Sequence, residues 1–267
     1  MAEIELNGAR LYYELRGEGD GMALIHGSWD DHHAFDAVAP VLAKRFRVLS
    51  YDRRWHSASE GGGTLDDDVA DLAALIEELG LAPAHLVGHS RGGSIALRLA
   101  ISRPELVRTV NVHEPPLFAL LADDPEWQNE LPEGGPRGSR VISEIEAGER
   151  EAATRRFVDE LAIGEGTWEA FPPAVRASLA ANADTFAEEE RDPTVSALDL
   201  DAVSRLSMPL LLTHGDQSPP MFTAVVERLQ AAAPGAERRL FDGAGHPVDL
   251  THPAEYAAAI EEFAGTR

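Results

Sequence analysis

Ser90, at the centre of Gly88-His89-Ser90-Arg91-Gly92, is the residue whose surroundings best equip it for chemistry. This G-x-S-x-G pattern follows the apolar run His85-Leu86-Val87 and precedes a helical pattern, Gly93 to Ser102. Glycines two residues either side of the serine let strand and helix approach closely, so the turn projects the hydroxyl ahead of a helix N-terminus. The plain alternative is a Gly-rich turn without chemistry, and partner residues decide between the two. A neutral serine needs a base for its proton and a pair of donors for the oxyanion it creates. His246, in Gly243-Ala244-Gly245-His246-Pro247, lies after the strand pattern Glu237 to Phe241 and before the last helix, a place suited to a base. The other histidines read more blandly: His85 and His89 flank a strand, His214 ends one, and His252 precedes a helix start at Pro253. The backbone N–H groups of Arg91 and of Ser28, in the loop His26-Gly27-Ser28-Trp29, are the expected oxyanion donors. Asp30-Asp31-His32-His33 matches no metal-ligand spacing and reads as a helix entry, so no metal and no cofactor is expected.

The elements that must position these residues alternate. Met22 to His26, Phe46 to Tyr51, His85 to His89, Val107 to His113 and Pro209 to His214 are short apolar runs, as expected of parallel strands covered on both faces. Asp66 to Leu79, Arg91 to Ser102, Thr223 to Ala233 and Ala254 to Phe263 carry apolar residues three and four apart, the helical spacing. Ile4 to Leu15, broken at Asn7-Gly8, predicts an antiparallel edge hairpin. Between Pro115 and Arg205 the alternation gives way to helical patterns separated by joints such as Leu131-Pro132-Glu133-Gly134-Gly135-Pro136. The expected organisation is an α/β core of residues 1–114 and 206–267 with a helical cap of residues 115–205. An insertion at the carboxyl end of a strand roofs the crevice where ligands bind such sheets.

Composition narrows the alternatives. The chain has 267 residues, enough for one domain with a large core, and a formal charge of -23, which argues against nucleic acid. No stretch of membrane-spanning length or signal-peptide character is present, so a cytoplasmic protein that neither enters a membrane nor binds nucleic acid is expected. There is no cysteine, hence no disulfide and no thiolate nucleophile. Lys44, the only lysine, sits in a polar helix end and is a poor candidate for Schiff-base chemistry. Surface charge of this size permits a monomer or a specific homodimer.

His26-Gly27-Ser28, Gly88-His89-Ser90-Arg91-Gly92-Gly93 and Gly245-His246, in this order, resemble the α/β-hydrolase superfamily over nearly the whole chain. The resemblance implies a mostly parallel sheet flanked by helices, a Ser–acid–His triad, a two-amide oxyanion hole and a helical cap; it says little about substrate. The superfamily's usual acid position, three residues beyond Gly215, is Ser218 here, and Asp216 lies one residue beyond that glycine. A second arrangement, that of zearalenone lactone hydrolases and some haloalkane dehalogenases, places a glutamate after the strand following the nucleophile helix, where this chain has Glu114 in Val112-His113-Glu114-Pro115-Pro116. Strand-end placement suits a carboxylate that orients His246, so Glu114 is preferred and Asp216 is the runner-up. After the fourth strand the superfamily carries glycines at two positions that are filled here by Trp55 and Ser57, and Trp55 is a candidate to pack beneath the cap.

Trp29, Phe118, Trp168, Phe186 and Val248 are the candidate pocket residues. Leu117, Leu121, Trp127, Phe171, Met221 and Phe222 are further apolar candidates, most of them expected simply to pack. The expected substrate is a small apolar ester or lactone, cleaved through an acyl-enzyme on Ser90. Carbon–carbon bond hydrolysis, acyl transfer and perhydrolysis fit the same residues, and a noncatalytic ligand-binding protein or cyclase is the reading from another class. Enzymes of the superfamily that form alkyl intermediates carry an aspartate where this chain has Ser90.

Overall fold

The computed structural model describes residues 2–127 and 136–267. The first five positions of the joint at 131–136 therefore lie outside the described residues. Eight strands build one sheet: β1 (Ala2–Leu6), β2 (Ala9–Arg16), β3 (Asp20–Ile25), β4 (Phe46–Tyr51), β5 (Ala84–His89), β6 (Val107–His113), β7 (Leu210–Gly215) and β8 (Glu237–Phe241). Their spatial order is β1-β2-β4-β3-β5-β6-β7-β8. β1 pairs antiparallel with β2, and β2 with β4; all other pairings are parallel. The expected hairpin is present, with Asn7 and Gly8 at φ 49° and 76°, the two positive values that a tight hairpin turn demands.

Alternate residues of each central strand feed two packing layers, because side chains on a strand point to opposite faces. Ala23 and Ile25 join Leu72, Leu97 and Val226 on one side, while Met22 and Leu24 join Phe35, Tyr256 and Ile260 on the other. Helix boundaries follow local chemistry. Thr64 and Asp67 form a reciprocal capping box that starts the helix Leu65–Glu78. The helix expected from Thr223 begins earlier, at Pro220, since proline is tolerated in the first turn, where its missing N–H has no helical partner in any case.

Between β6 and β7 the described residues contain helices and no strand, including Pro136–Glu146, Arg150–Arg156, Pro173–Ala181 and Ala183–Glu189. These helices meet the sheet's loops through Trp29, which is buried with Val141, Ile145, Leu161 and Phe186. No helix among the described residues is long and apolar enough to cross a membrane.

Candidate active site

Ser90 sits between β5 and the helix Arg91–Ser102 at φ 53° and ψ -121°, a conformation that L-residues rarely adopt. The surrounding glycines make this turn possible. A Cβ on Gly88 would lie 2.4 Å from the Gly92 carbonyl oxygen, and one on Gly92 would lie 2.0 Å from the Ile25 carbonyl oxygen. The turn is also tied to the next strand, because the Ser90 N–H donates to the His113 carbonyl at 2.8 Å. Arg91, as the first residue of its helix, has an N–H that cannot find a partner within that helix.

Glu114 follows β6 at φ 46° and is fully buried. Its Oε2 accepts from His246 Nδ1 at 2.7 Å and its Oε1 accepts from the Gly215 N–H at 2.8 Å. With Nδ1 donating, the neutral imidazole keeps Nε2 as its acceptor. Burial opposes the Glu114 charge, but attraction to His113 and His246 and the His246 hydrogen bond outweigh it and hold the carboxyl down at about 2. Burial pushes His113 itself down to about 3, so at neutral pH it is uncharged and the donors from His246 and Gly215 do the holding. The buried Ser218 hydroxyl lies near enough to help, without forming a well-aligned hydrogen bond. Asp216 is placed otherwise: it is exposed and accepts from the Gly243 N–H at 2.7 Å, bracing the turn before His246 rather than the ring.

The loop carrying Ser28 is held by a buried charged network. Arg53, with no exposed surface, donates to Asp68 at 2.9 Å, to Glu189 at 2.5 Å and to the Gly27 carbonyl at 3.1 Å. His26 donates from Nδ1 to the same carbonyl at 2.9 Å and accepts from the Arg53 N–H at Nε2, the pattern of a neutral ring, and burial pushes it well below the usual histidine range. The Ser28 hydroxyl, for which the sequence suggested no role, donates to Glu189 at 2.5 Å. Arg91 extends the network: its side chain donates to Glu190 at 2.8 Å and to the Val195 carbonyl at 3.0 Å. Neither glutamate was legible as a site residue; both lie in a helical pattern with charges at nearly every position.

Two cavities meet at Ser28, Ser90 and His246. The smaller, about 210 Å³, is lined by Arg91, Phe118, Ile142, Phe186 and Phe222 among others. The larger, about 430 Å³, is lined by Trp29, Asp30, Phe157, Phe171 and Asp249 among others. Phe222 stacks on the His246 ring with centroids 4.2 Å apart. Trp29 lines the larger cavity and Phe118 and Phe186 the smaller, but two candidates line neither. Val248 is turned into the layer of Phe35 and Tyr256, and Trp168 is buried beside the turn that its N–H makes with Asp159, so neither lines these cavities. Trp55 is 42% exposed at φ 64°, a backbone shape natural to glycine, with its ring beside Gly62. Phe157, in both linings, was missed because its segment shows no period that separates cavity from core.

Asp31, His32 and His33 bring potential ligand atoms within 4.8 Å of one another, yet each has a protein partner. Asp31 accepts from Ser57, Ser178 and the His33 N–H; His32 pairs with Asp52 and His33 with Asp36. As expected, Asp31 caps the short helix His32–Phe35.

Comparison with known proteins gives the same architecture. An uncharacterized hydrolase from Bacillus subtilis is 36% identical over 123 residues, 44% of this chain and 45% of that protein, so this chain matches less than half of that relative's length. A pimeloyl-[acyl-carrier protein] methyl ester esterase from Aeromonas hydrophila is 27% identical over 265 residues, 94% of this chain and 98% of that one. The crystal structure of a hydrolase from Pseudomonas aeruginosa superposes with a TM-score of 0.79 at 25% identity, covering 99% of this chain and 98% of that one. The family model described as the alpha/beta hydrolase family matches residues 22–259, from β3 to the last helix, and with that span the chain belongs to the alpha/beta hydrolase family.

Proposed function

We propose that this hydrolase cleaves a carboxylic ester or lactone through an acyl-enzyme on Ser90. The observation that carries the reading is the 2.7 Å contact of His246 Nδ1 with the buried Glu114, in a ring that shares a cavity with Ser90. In this reading His246 Nε2 takes the Ser90 proton as Oγ attacks the ester carbonyl, and Glu114 steadies the imidazolium that results. The backbone N–H groups of Ser28 and Arg91 receive the oxyanion. The C–O bond then breaks, His246 returns the proton to the departing alkoxide, and the alcohol leaves. Water, deprotonated by the same ring, attacks the acyl-enzyme and releases the acid and free Ser90. A lactone is an ester closed into a ring, so the same steps open it, with the hydroxyl remaining attached to the product. The helical segment between β6 and β7 serves as a cap, since Phe157, Phe186 and Glu190 line the cavities at Ser90. The activity named for the Aeromonas relative, cleavage of a methyl ester, supports the choice of bond.

The test is turnover of p-nitrophenyl acetate and butyrate by the wild type and by Ser90→Ala. Activity that Ser90→Ala reduces at least a thousandfold is the expected result. Absence of turnover by the wild type contradicts the reading.

A further inference from the structure

The two cavities that meet at Ser90 differ in charge. In the smaller, Arg91 and Glu190 pair with each other at 2.8 Å. The larger is lined by Asp30, Asp31, Asp36 and Asp249, and among the described residues its lining includes no arginine or lysine. Asp31 and Asp36 have the partners given above. Asp30 and Asp249 stand apart, close enough that the charge on one opposes the charge on the other. Asp249 is 3% exposed, and its Oδ1 is buried with no hydrogen-bond partner.

One neighbour in the same wall is an independent sign of a polar ligand. His89 Nδ1 is buried without a partner on a residue 5% exposed that lines this cavity, and with Nε2 donating to the His246 carbonyl it is left as an acceptor. Buried polar groups left unanswered destabilise a fold, so the unpartnered acceptors Asp249 Oδ1 and His89 Nδ1 in the lining beside Ser90 point to a bound donor or cation rather than to packing. Burial, followed by repulsion from Asp249, pushes the Asp30 carboxyl up to about 7, and the opposing pull of His89 and Arg53 does not offset it.

We propose that the larger cavity binds an amine or quaternary ammonium group of the substrate, which pairs with Asp30 and Asp249 while its apolar stem lies against Phe157, Phe171 and Val175. The proposal rests on the ester-hydrolysis reading and names the substrate class within it: esters with a cationic end. It also excludes esters whose corresponding end is anionic.

Two pairs of isosteric esters separate the possibilities. Butyrylcholine is compared with neutral 3,3-dimethylbutyl butyrate, and p-nitrophenyl 4-(trimethylammonio)butanoate with p-nitrophenyl 5,5-dimethylhexanoate. In at least one pair the cationic ester is expected to have a kcat/KM at least tenfold higher, and Asp30→Asn with Asp249→Asn should bring that ratio toward one. Turnover of the neutral esters with no cationic preference in either pair overturns the proposal and leaves the esterase reading standing. Failure to turn over any ester removes the esterase reading instead. Calorimetric titration with benzyltrimethylammonium then decides the cation site by itself: binding that weakens at least tenfold in the double variant supports it, and no binding overturns it.

Discussion

Glu114 and His246 lie 132 positions apart in sequence, yet their side chains meet at 2.7 Å with the carboxylate fully buried. The meeting depends on β6 and β7 lying side by side, because the Gly215 N–H at the end of β7 fixes the other oxygen of Glu114 at 2.8 Å. A carboxylate held from two sides has one orientation to offer the ring.

Glu114→Gln is therefore expected to lower kcat on p-nitrophenyl butyrate by about a thousandfold or more, since the amide favours the wrong imidazole tautomer and does not stabilise its cation. Asp216→Asn, which alters only the exposed brace to Gly243, is expected to stay within about threefold of wild type. The reverse ranking would assign the acid to Asp216.

Glu189 ties the helical segment to the Ser28 loop through the 2.5 Å contacts from Ser28 Oγ and Arg53. Glu189→Gln leaves the Arg53 guanidinium buried with less compensating charge, a change that typically costs about 3 kcal/mol or more. The expected outcome is a lower midpoint in urea together with a kcat loss larger than the change in KM, because the loop presenting the Ser28 N–H loses its support. Unchanged kcat in a variant that is destabilised would limit Glu189 to a structural role.

Acid stability follows from His113. Its folded value, about 3, lies below the ordinary 6.5, so the unfolded chain takes up this proton first as pH falls. Stability from this group is complete above pH 6.5 and is lost between 6.5 and 3, at about 1.4 kcal/mol per pH unit. Asp30, held up at about 7, acts in the opposite sense, so the comparison is between wild type and His113→Asn. Urea unfolding between pH 7 and 4.5 is expected to fall less steeply for the variant; parallel curves would contradict the assignment.

The alternation of strand and helix, the hairpin at Asn7-Gly8 and the elbow at Ser90 are written in local patterns: turn chemistry, period, and glycines whose Cβ would collide with backbone. Glu114 was legible as a neighbour of His246 because it directly follows the end of a strand. Glu189, Glu190 and Phe157 were not, since their contacts come from how the helical segment lies over the sheet, and no local pattern encodes that docking. Val248 and Trp168 misled for the same reason: apolar residues near the site and apolar residues in it have the same local signature.

The central claim is that Ser90 is the nucleophile, and covalent labelling tests it without knowledge of the substrate. Incubation with a fluorophosphonate, followed by intact and peptide mass spectrometry, is expected to give one adduct, on the peptide containing Ser90. The adduct should be absent in Ser90→Ala and form at least a hundredfold more slowly in His246→Ala. A wild-type protein that takes no label, or carries it on another residue, would contradict the account.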